Sequence, residues 1–99
     1  MTARVIKHVV VRGRVQGVGF RAFVEYEAIK RELEGWVRNR RDGSVEAIFA
    51  GSPETVEAMI EACREGPPSS HVHTVEDRLA NETELAERGG EMFAVLATK

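Results

Sequence analysis

Apolar and polar positions alternate with different periods along this chain, and each change of period marks an element. Val5 to Arg12, VIKHVVVR, is β-branched and partly alternating, which predicts a strand with one face more buried than the other. From Phe20 to Leu33 the spacing turns helical. Phe20, Phe23, Val24 and Ala28 fall on one side, and Tyr26, Ile29 and Leu33 broaden the apolar surface beyond a clean stripe. Gly35 ends that helix, Trp36 to Arg41 reads as a second strand, and Asp42-Gly43 signals a tight hairpin turn before a third strand, Ser44 to Ala50. Gly51-Ser52-Pro53 then opens a second helix with a serine cap and a proline at the first helical position. Val56, Met59, Ile60 and Cys63 lie at i, i+3, i+4 and i+7 and give it one apolar stripe, which Gly66-Pro67-Pro68 terminates. Val72 to Leu79 is a weaker strand, Asn81 to Gly90 a polar connection, and Met92 to Thr98 a final strand.

This order predicts an α+β fold, a ferredoxin-like βαββαβ sandwich: an antiparallel sheet, two helices on one face, and an additional C-terminal strand. A chain of 99 residues has room for one hydrophobic core, so residues 1–99 are expected to form a single domain. The composition, 42% hydrophobic and 30% charged, is that of a globular protein and argues against disorder. No unbroken apolar run approaches the roughly 20 residues of a bilayer span, and no signal-peptide core opens the chain. The expectation is a cytoplasmic protein with no membrane partner. The lone Cys63 rules out an internal disulfide, and its place in an apolar stripe assigns it to the core rather than to reactive chemistry.

Charge adds a second pattern. The formal net charge is −2, yet residues 1–43 hold ten Lys/Arg against five Asp/Glu, whereas residues 44–99 hold four against eleven. Arg12, Arg14, Arg21, Arg38, Arg40 and Arg41 lie in or beside two stretches, Gly13 to Arg21 (GRVQGVGFR) and Gly35 to Glu46 (GWVRNRRDGSVE). Such a concentration is either a solvated face or a field that attracts a small anion. The first stretch joins a strand to a helix through three glycines. It reads either as an ordinary turn or as a loop whose amides, converging on a helix N-terminus, receive an anion. It matches neither the Walker A pattern nor the dinucleotide GxGxxG spacing. The second stretch, a strand, a turn and a strand, puts Asn39 in a position from which it can face the loop.

Together the two stretches closely resemble the signature of the acylphosphatase family, and the likeness runs from Val9 to about Asp77, with further support from CREGPPSSHVHTVE at Cys63 to Glu76. The resemblance implies hydrolysis of acyl phosphates. It implies a phosphate-binding loop of Arg14, Val15, Gln16, Gly17, Val18, Gly19 and Phe20, with Arg21 binding the phosphate and Asn39 orienting the attacking water. The family often has Leu-Gly-Leu near the end of its first helix, where this chain has Arg31-Glu32-Leu33. Arg41 and the Asn81 to Gly90 segment also depart from the family pattern.

The residues can support that chemistry. An acyl phosphate releases a carboxylate, whose parent acid has a pKa of roughly 4, so the leaving group needs no proton. The absence of a convincing carboxylate pair or catalytic histidine is then no obstacle. Positioning and charge stabilisation remain, and an arginine fork and an amide acceptor supply them. His71 and His73, at i, i+2, would begin a metal site only with a third ligand; no metal and no cofactor are expected. The expected partners are the small acyl phosphate and inorganic phosphate as product, bound by a monomer. Two other readings stay open. One is an anion-binding regulatory or maturation domain with little turnover, like the acylphosphatase-like domain of hydrogenase-maturation proteins. The other, an RNA-binding module of the same fold, calls for stacking aromatics that Val5 to Arg12 lacks, and no nucleic acid is expected.

Overall fold

The computed structural model describes residues 3–99; residues 1 and 2, the start of the expected domain, lie outside the described residues. The element order is β1 (Val5–Arg14), α1 (Phe20–Lys30), β2 (Glu34–Asn39), β3 (Val45–Gly51), α2 (Pro53–Glu65), β4 (His71–Leu79), α3 (Glu82–Leu85) and β5 (Phe93–Val95). The sheet runs β4-β1-β3-β2-β5. Its first four strands pair antiparallel, in the βαββαβ wiring expected. The additional C-terminal strand, β5, pairs parallel to β2, so the sheet is mixed rather than wholly antiparallel. The chain reaches β5 from the far edge strand β4 by crossing the sheet, and it enters in the same direction as β2.

Helices α1 and α2 cover one sheet face. Val9, Val11, Val37, Val45, Ala47 and Phe49 meet Phe20, Val24, Ala28, Val56, Met59, Ile60 and Cys63 in the main core. In α1 the buried residues are Phe20, Val24 and Ala28, whereas Tyr26 is 64% and Ile29 53% exposed, so two of the three residues that broaden the sequence stripe face water. The second helix follows its sequence pattern closely. The Ser52 Oγ accepts from the Thr55 N–H at 3.2 Å, Pro53 occupies the first turn, and the four stripe residues are buried.

The polar connection is more than a loop. Asn81 and Glu84 form a reciprocal capping box that starts α3, and a 3₁₀ turn, Ala86–Arg88, follows. Leu85 seals a second, smaller cluster on the opposite sheet face with Ile6, Trp36, Ile48, Ala50 and Ala94. One buried leucine in a polar stretch is too sparse for a helical period, so this element left no periodic trace in the sequence.

The end of α1 explains the departure at Arg31-Glu32-Leu33. The helix stops at Lys30, the Leu33 N–H bonds the Ala28 carbonyl at 2.9 Å, and the Glu32 N–H bonds the Ile29 carbonyl at 2.9 Å. This is a Schellman closure in which Glu32, at φ 57, takes the left-handed position usually given to glycine. Leu33 therefore enters the core from outside the helix, not from its last turn.

Candidate active site

The loop after β1 turns the chain into α1 through Gly17 and Gly19, at φ 74 and 80, values that L side chains rarely adopt. Gly19 is the N-cap of α1 and offers no side-chain cap, and the first turn contains no acidic residue. The leading N–H groups of α1 thus lack the carboxylate or hydroxyl that usually satisfies them, and the positive end of the helix dipole is left open. A Cβ built on Gly17 or Gly19 would meet nothing within 4 Å, so the space before the helix is free.

Asn39 comes from the end of β2. Val37, two residues before it, packs in the helix-side core, and Val45, its partner across the hairpin, does the same. Strand alternation therefore carries Asn39 to the helix side, toward the loop. The turn beyond it has Gly43 N–H bonded to the Arg40 carbonyl at 3.1 Å, Arg40 N–H bonded to the Ser44 carbonyl at 2.8 Å, and Gly43 at φ 95. Arg41 and Asp42 are thus its central residues, followed by a left-handed glycine, a three-residue connection rather than a two-residue Asp-Gly turn. The Asp42 carboxyl accepts from the Ser44 hydroxyl at 2.6 Å and its N–H at 2.9 Å, and these bonds, with Arg12, hold its pKa down at about 2. A strap continues past β5: Leu96 N–H bonds the Val37 carbonyl, Lys99 N–H the Asn39 carbonyl, and Arg41 N–H the Lys99 carbonyl.

Gln16 connects the loop to this turn. Its Nε2 donates to the carbonyls of Arg40, at 2.7 Å, and Ser44, at 2.8 Å. Between loop and strand end lies a concavity of about 210 Å³ lined by Val15, Gly17, Gly19, Phe20, Arg21, Ala22 and Asn39. Arg21 and Asn39 are thus brought together. Of the other loop residues singled out in the sequence, Val15 and Phe20 are also buried in the core, Val18 packs against it, and Arg14 is an exposed residue at the end of β1. Arg14, Gln16 and Val18 are not among the residues lining the concavity. Ala22 lines it without a signal in the sequence, since an exposed alanine on a helix carries no chemical mark. Larger hollows, of about 520 and 580 Å³, lie along α1 and α2 and are lined by neither Arg21 nor Asn39.

The arginines divide sharply. Arg12 pairs with Asp42 and Glu76, Arg38 with Glu46 and Glu87, and Arg40 with Glu46. Among the described residues, Arg14, Arg21 and Arg41 have no ion-pair partner. The fork of Arg21, at the concavity, is thus uncommitted. His71 and His73 stand exposed with ring centroids 6.0 Å apart, and among the described residues they belong to no group of three potential metal ligands. Cys63 is fully buried, which pushes its thiol pKa up to about 12. No described helix is long and apolar enough to cross a membrane.

Fold and site together define a class: a ferredoxin-like α+β protein whose first helix opens an uncapped N-terminus, beside an unpaired arginine, toward a strand-end amide. The acylphosphatase family model matches residues 7–92. An acylphosphatase of Bradyrhizobium diazoefficiens is 59% identical over 97% of this chain and 98% of its own length. The chain belongs to the acylphosphatase family, and its enzyme class is acylphosphatase, a hydrolase. Among solved structures, an acylphosphatase from Bacillus subtilis superposes with a TM-score of 0.82 at 39% identity, covering 93% of this chain and 98% of that one. Full-length HypF in its phosphate- and nucleotide-bound form superposes with a TM-score of 0.83 at 28% identity, over 99% of this chain but 12% of that protein.

Proposed function

We propose that this chain hydrolyses the carboxyl–phosphate bond of acyl phosphates by holding the phosphoryl group on the amides of loop 14–20 and on Arg21, while Asn39 directs the attacking water. The observation that carries this reading is the meeting of Arg21 and Asn39, from separate elements, at one concavity before the open N-terminus of α1. The water oxygen attacks phosphorus, the bond from phosphorus to the carboxyl oxygen breaks, and the electron pair leaves with the carboxylate. The water proton passes to a phosphate oxygen, because an amide side chain cannot take it. No general acid is needed for a leaving group this weakly basic.

Arg21 suits its part because a planar fork bonds two phosphate oxygens at once and stays charged at any working pH. Asn39 contributes aim rather than charge. Its carbonyl oxygen accepts one hydrogen of the water and turns a lone pair toward phosphorus. The working unit in this reading is a monomer, and the expected setting is the cytoplasm.

The likeness to HypF keeps the maturation-domain reading in view, with an anion held but little turned over. The near-complete coverage of an acylphosphatase of the same length favours the enzyme. The deciding experiment is hydrolysis of acetyl phosphate by the purified chain together with two variants. Arg21→Gln should lose turnover and inorganic-phosphate affinity together, each by on the order of 10²-fold. Asn39→Ala should lose turnover comparably while its phosphate inhibition constant stays near that of the parent. Phosphate binding without hydrolysis in the parent chain would favour the maturation reading, and an Asn39→Ala variant with full turnover would remove Asn39 from the water.

A further inference from the structure

On the sheet face away from α1 and α2, directly behind the site, lies a buried carboxylate that the reaction does not use. Glu46 is 5% exposed, and three side chains converge on it. His8 Nε2 stands 2.6 Å from Oε2, Arg38 Nε donates to Oε1 at 2.8 Å, and Arg40 reaches Oε2 at 3.3 Å. Arg38 is held further by Glu87 at 3.1 Å and by the face of Trp36, whose ring centroid is 4.5 Å from its guanidinium carbon. Burial alone would raise the carboxyl pKa, but the bonds from His8 and Arg38 outweigh it and keep Glu46 below the usual carboxylate range. A single ionised group therefore grips two arginines from the centre of the sheet.

Those two arginines flank Asn39 in the chain. The alternation that sends Asn39 to the helix side leaves Arg38 and Arg40 on the Glu46 side, so the residue between them is pinned at both neighbours. Arg40 is held twice, its guanidinium by Glu46 and its carbonyl by Gln16 of the loop. We propose that Glu46 is a positioning residue for the hydrolysis: by clamping Arg38 and Arg40 behind the sheet, it fixes the backbone of Asn39 and with it the direction in which the Asn39 amide presents water. The proposal rests on the assignment of Asn39 to the water made above. A neutral amide at position 46 cannot reproduce the clamp, because one of its two polar ends would present N–H groups to a guanidinium that can only donate.

The test uses the full chain with acetyl phosphate as substrate and inorganic phosphate as competing product. Glu46→Gln lowers kcat by about 10- to 100-fold, the scale of an ångström-sized misplacement of a positioning group, and leaves the phosphate inhibition constant within about twofold. Coupling separates this from general loosening. In the Asn39→Ala background Glu46→Gln has no further effect on kcat, since the amide it would misdirect is gone; a loss that adds to that of Asn39→Ala overturns the proposal. A folded Glu46→Gln protein with parental kcat also overturns it, as does one that loses phosphate affinity in step with turnover. Should Glu46→Gln not fold, Arg40→Met reads the same clamp, because the Arg40 side chain is 43% exposed. It lowers kcat several-fold at unchanged phosphate inhibition, and an unchanged kcat overturns the proposal. If Asn39→Ala itself keeps its turnover, the water assignment fails and this proposal falls with it. An inactive Asn39→Ala beside an active Glu46→Gln overturns the positioning role alone.

Discussion

Gln16 offers a quantitative test of how the site is held together, because its side chain is committed to the hairpin turn and not to the concavity. Gln16→Met keeps the length of the side chain and removes both hydrogen bonds, at 2.7 and 2.8 Å, to the carbonyls of Arg40 and Ser44. Neither carbonyl is left without a donor, since Gly43 N–H still bonds Arg40 and Arg40 N–H still bonds Ser44. The loss is therefore that of two ordinary net hydrogen bonds, about 1 kcal/mol each and about 2 kcal/mol in all, without an added penalty for a stranded polar group. For a chain of this size 1 kcal/mol moves the thermal midpoint by about 4–8 °C, so a fall of about 8–16 °C is expected in a melt followed by circular dichroism. Activity should fall as well, because the loop and Asn39 lose the link that sets their separation; an ångström of drift lowers kcat by up to about 10²-fold. Inorganic phosphate should still inhibit at nearly the parental concentration, because the loop amides and Arg21 remain. An unchanged thermal midpoint would show that the two bonds are not formed in solution. A loss of phosphate affinity as large as the loss of turnover would show that the Gln16 amide meets the phosphate instead of the turn.

Glu32→Gly should stabilise the protein: a non-glycine residue in the left-handed region costs about 1–2 kcal/mol, and glycine returns about 0.5–1 kcal/mol of that as chain entropy, leaving a net gain of up to about 1.5 kcal/mol. A higher urea midpoint at unchanged slope and unchanged turnover is the expected reading, and a lower midpoint would mean that the Glu32 side chain contributes more than its backbone costs. Cys63, fully buried with its thiol pKa pushed up to about 12, should resist an aromatic disulfide reagent at pH 8 in the native protein and react promptly in denaturant. Rapid labelling of the native chain at unchanged fold would contradict its place in the core.

Fold and site were legible in the sequence to different depths. The second helix is legible almost residue for residue because Ser52, Pro53 and the Val56-Met59-Ile60-Cys63 stripe all point the same way. The apolar period carries the first helix to Leu33, three residues past its end at Lys30, since the Schellman closure depends on a backbone angle at Glu32 that no such period records. α3 has no periodic signal in the sequence, and β5 is shorter than expected, ending at Val95 rather than Thr98, although the strap to Lys99 continues to bond β2. At the site, the two motifs single out Arg21 and Asn39, and the fold brings both to one concavity. The Gln16 link is not legible in this way. Its residue type suits a loop facing an anion as well as it suits a staple between two carbonyls, and only the geometry separates the two. Glu46 was equally silent, because in a sequence a buried acidic residue on a strand looks the same as an exposed one.

The charge pattern shows where counting residues stops being informative. Six arginines crowd the two motif stretches, and in the sequence they suggest a broad positive field over the site. In the folded chain the field is much smaller. Arg38 and Arg40 are neutralised on the far side of the sheet by Glu46 and Glu87, and Arg12 is paired at the surface with Asp42 and Glu76. Arg14 and Arg41 are exposed, where an arginine is largely screened by salt beyond about 8–10 Å. Arg21 is the member of the six that lines the concavity. On the proposed function, attraction of the phosphate then comes mainly from groups at contact distance, one guanidinium fork and the amides of an uncapped helix, rather than from the summed charge of the face. Such short-range donors favour whatever anion fits their spacing. On the proposed reading, the carboxylates beside the neighbouring arginines leave Arg21 as the uncommitted fork at the concavity.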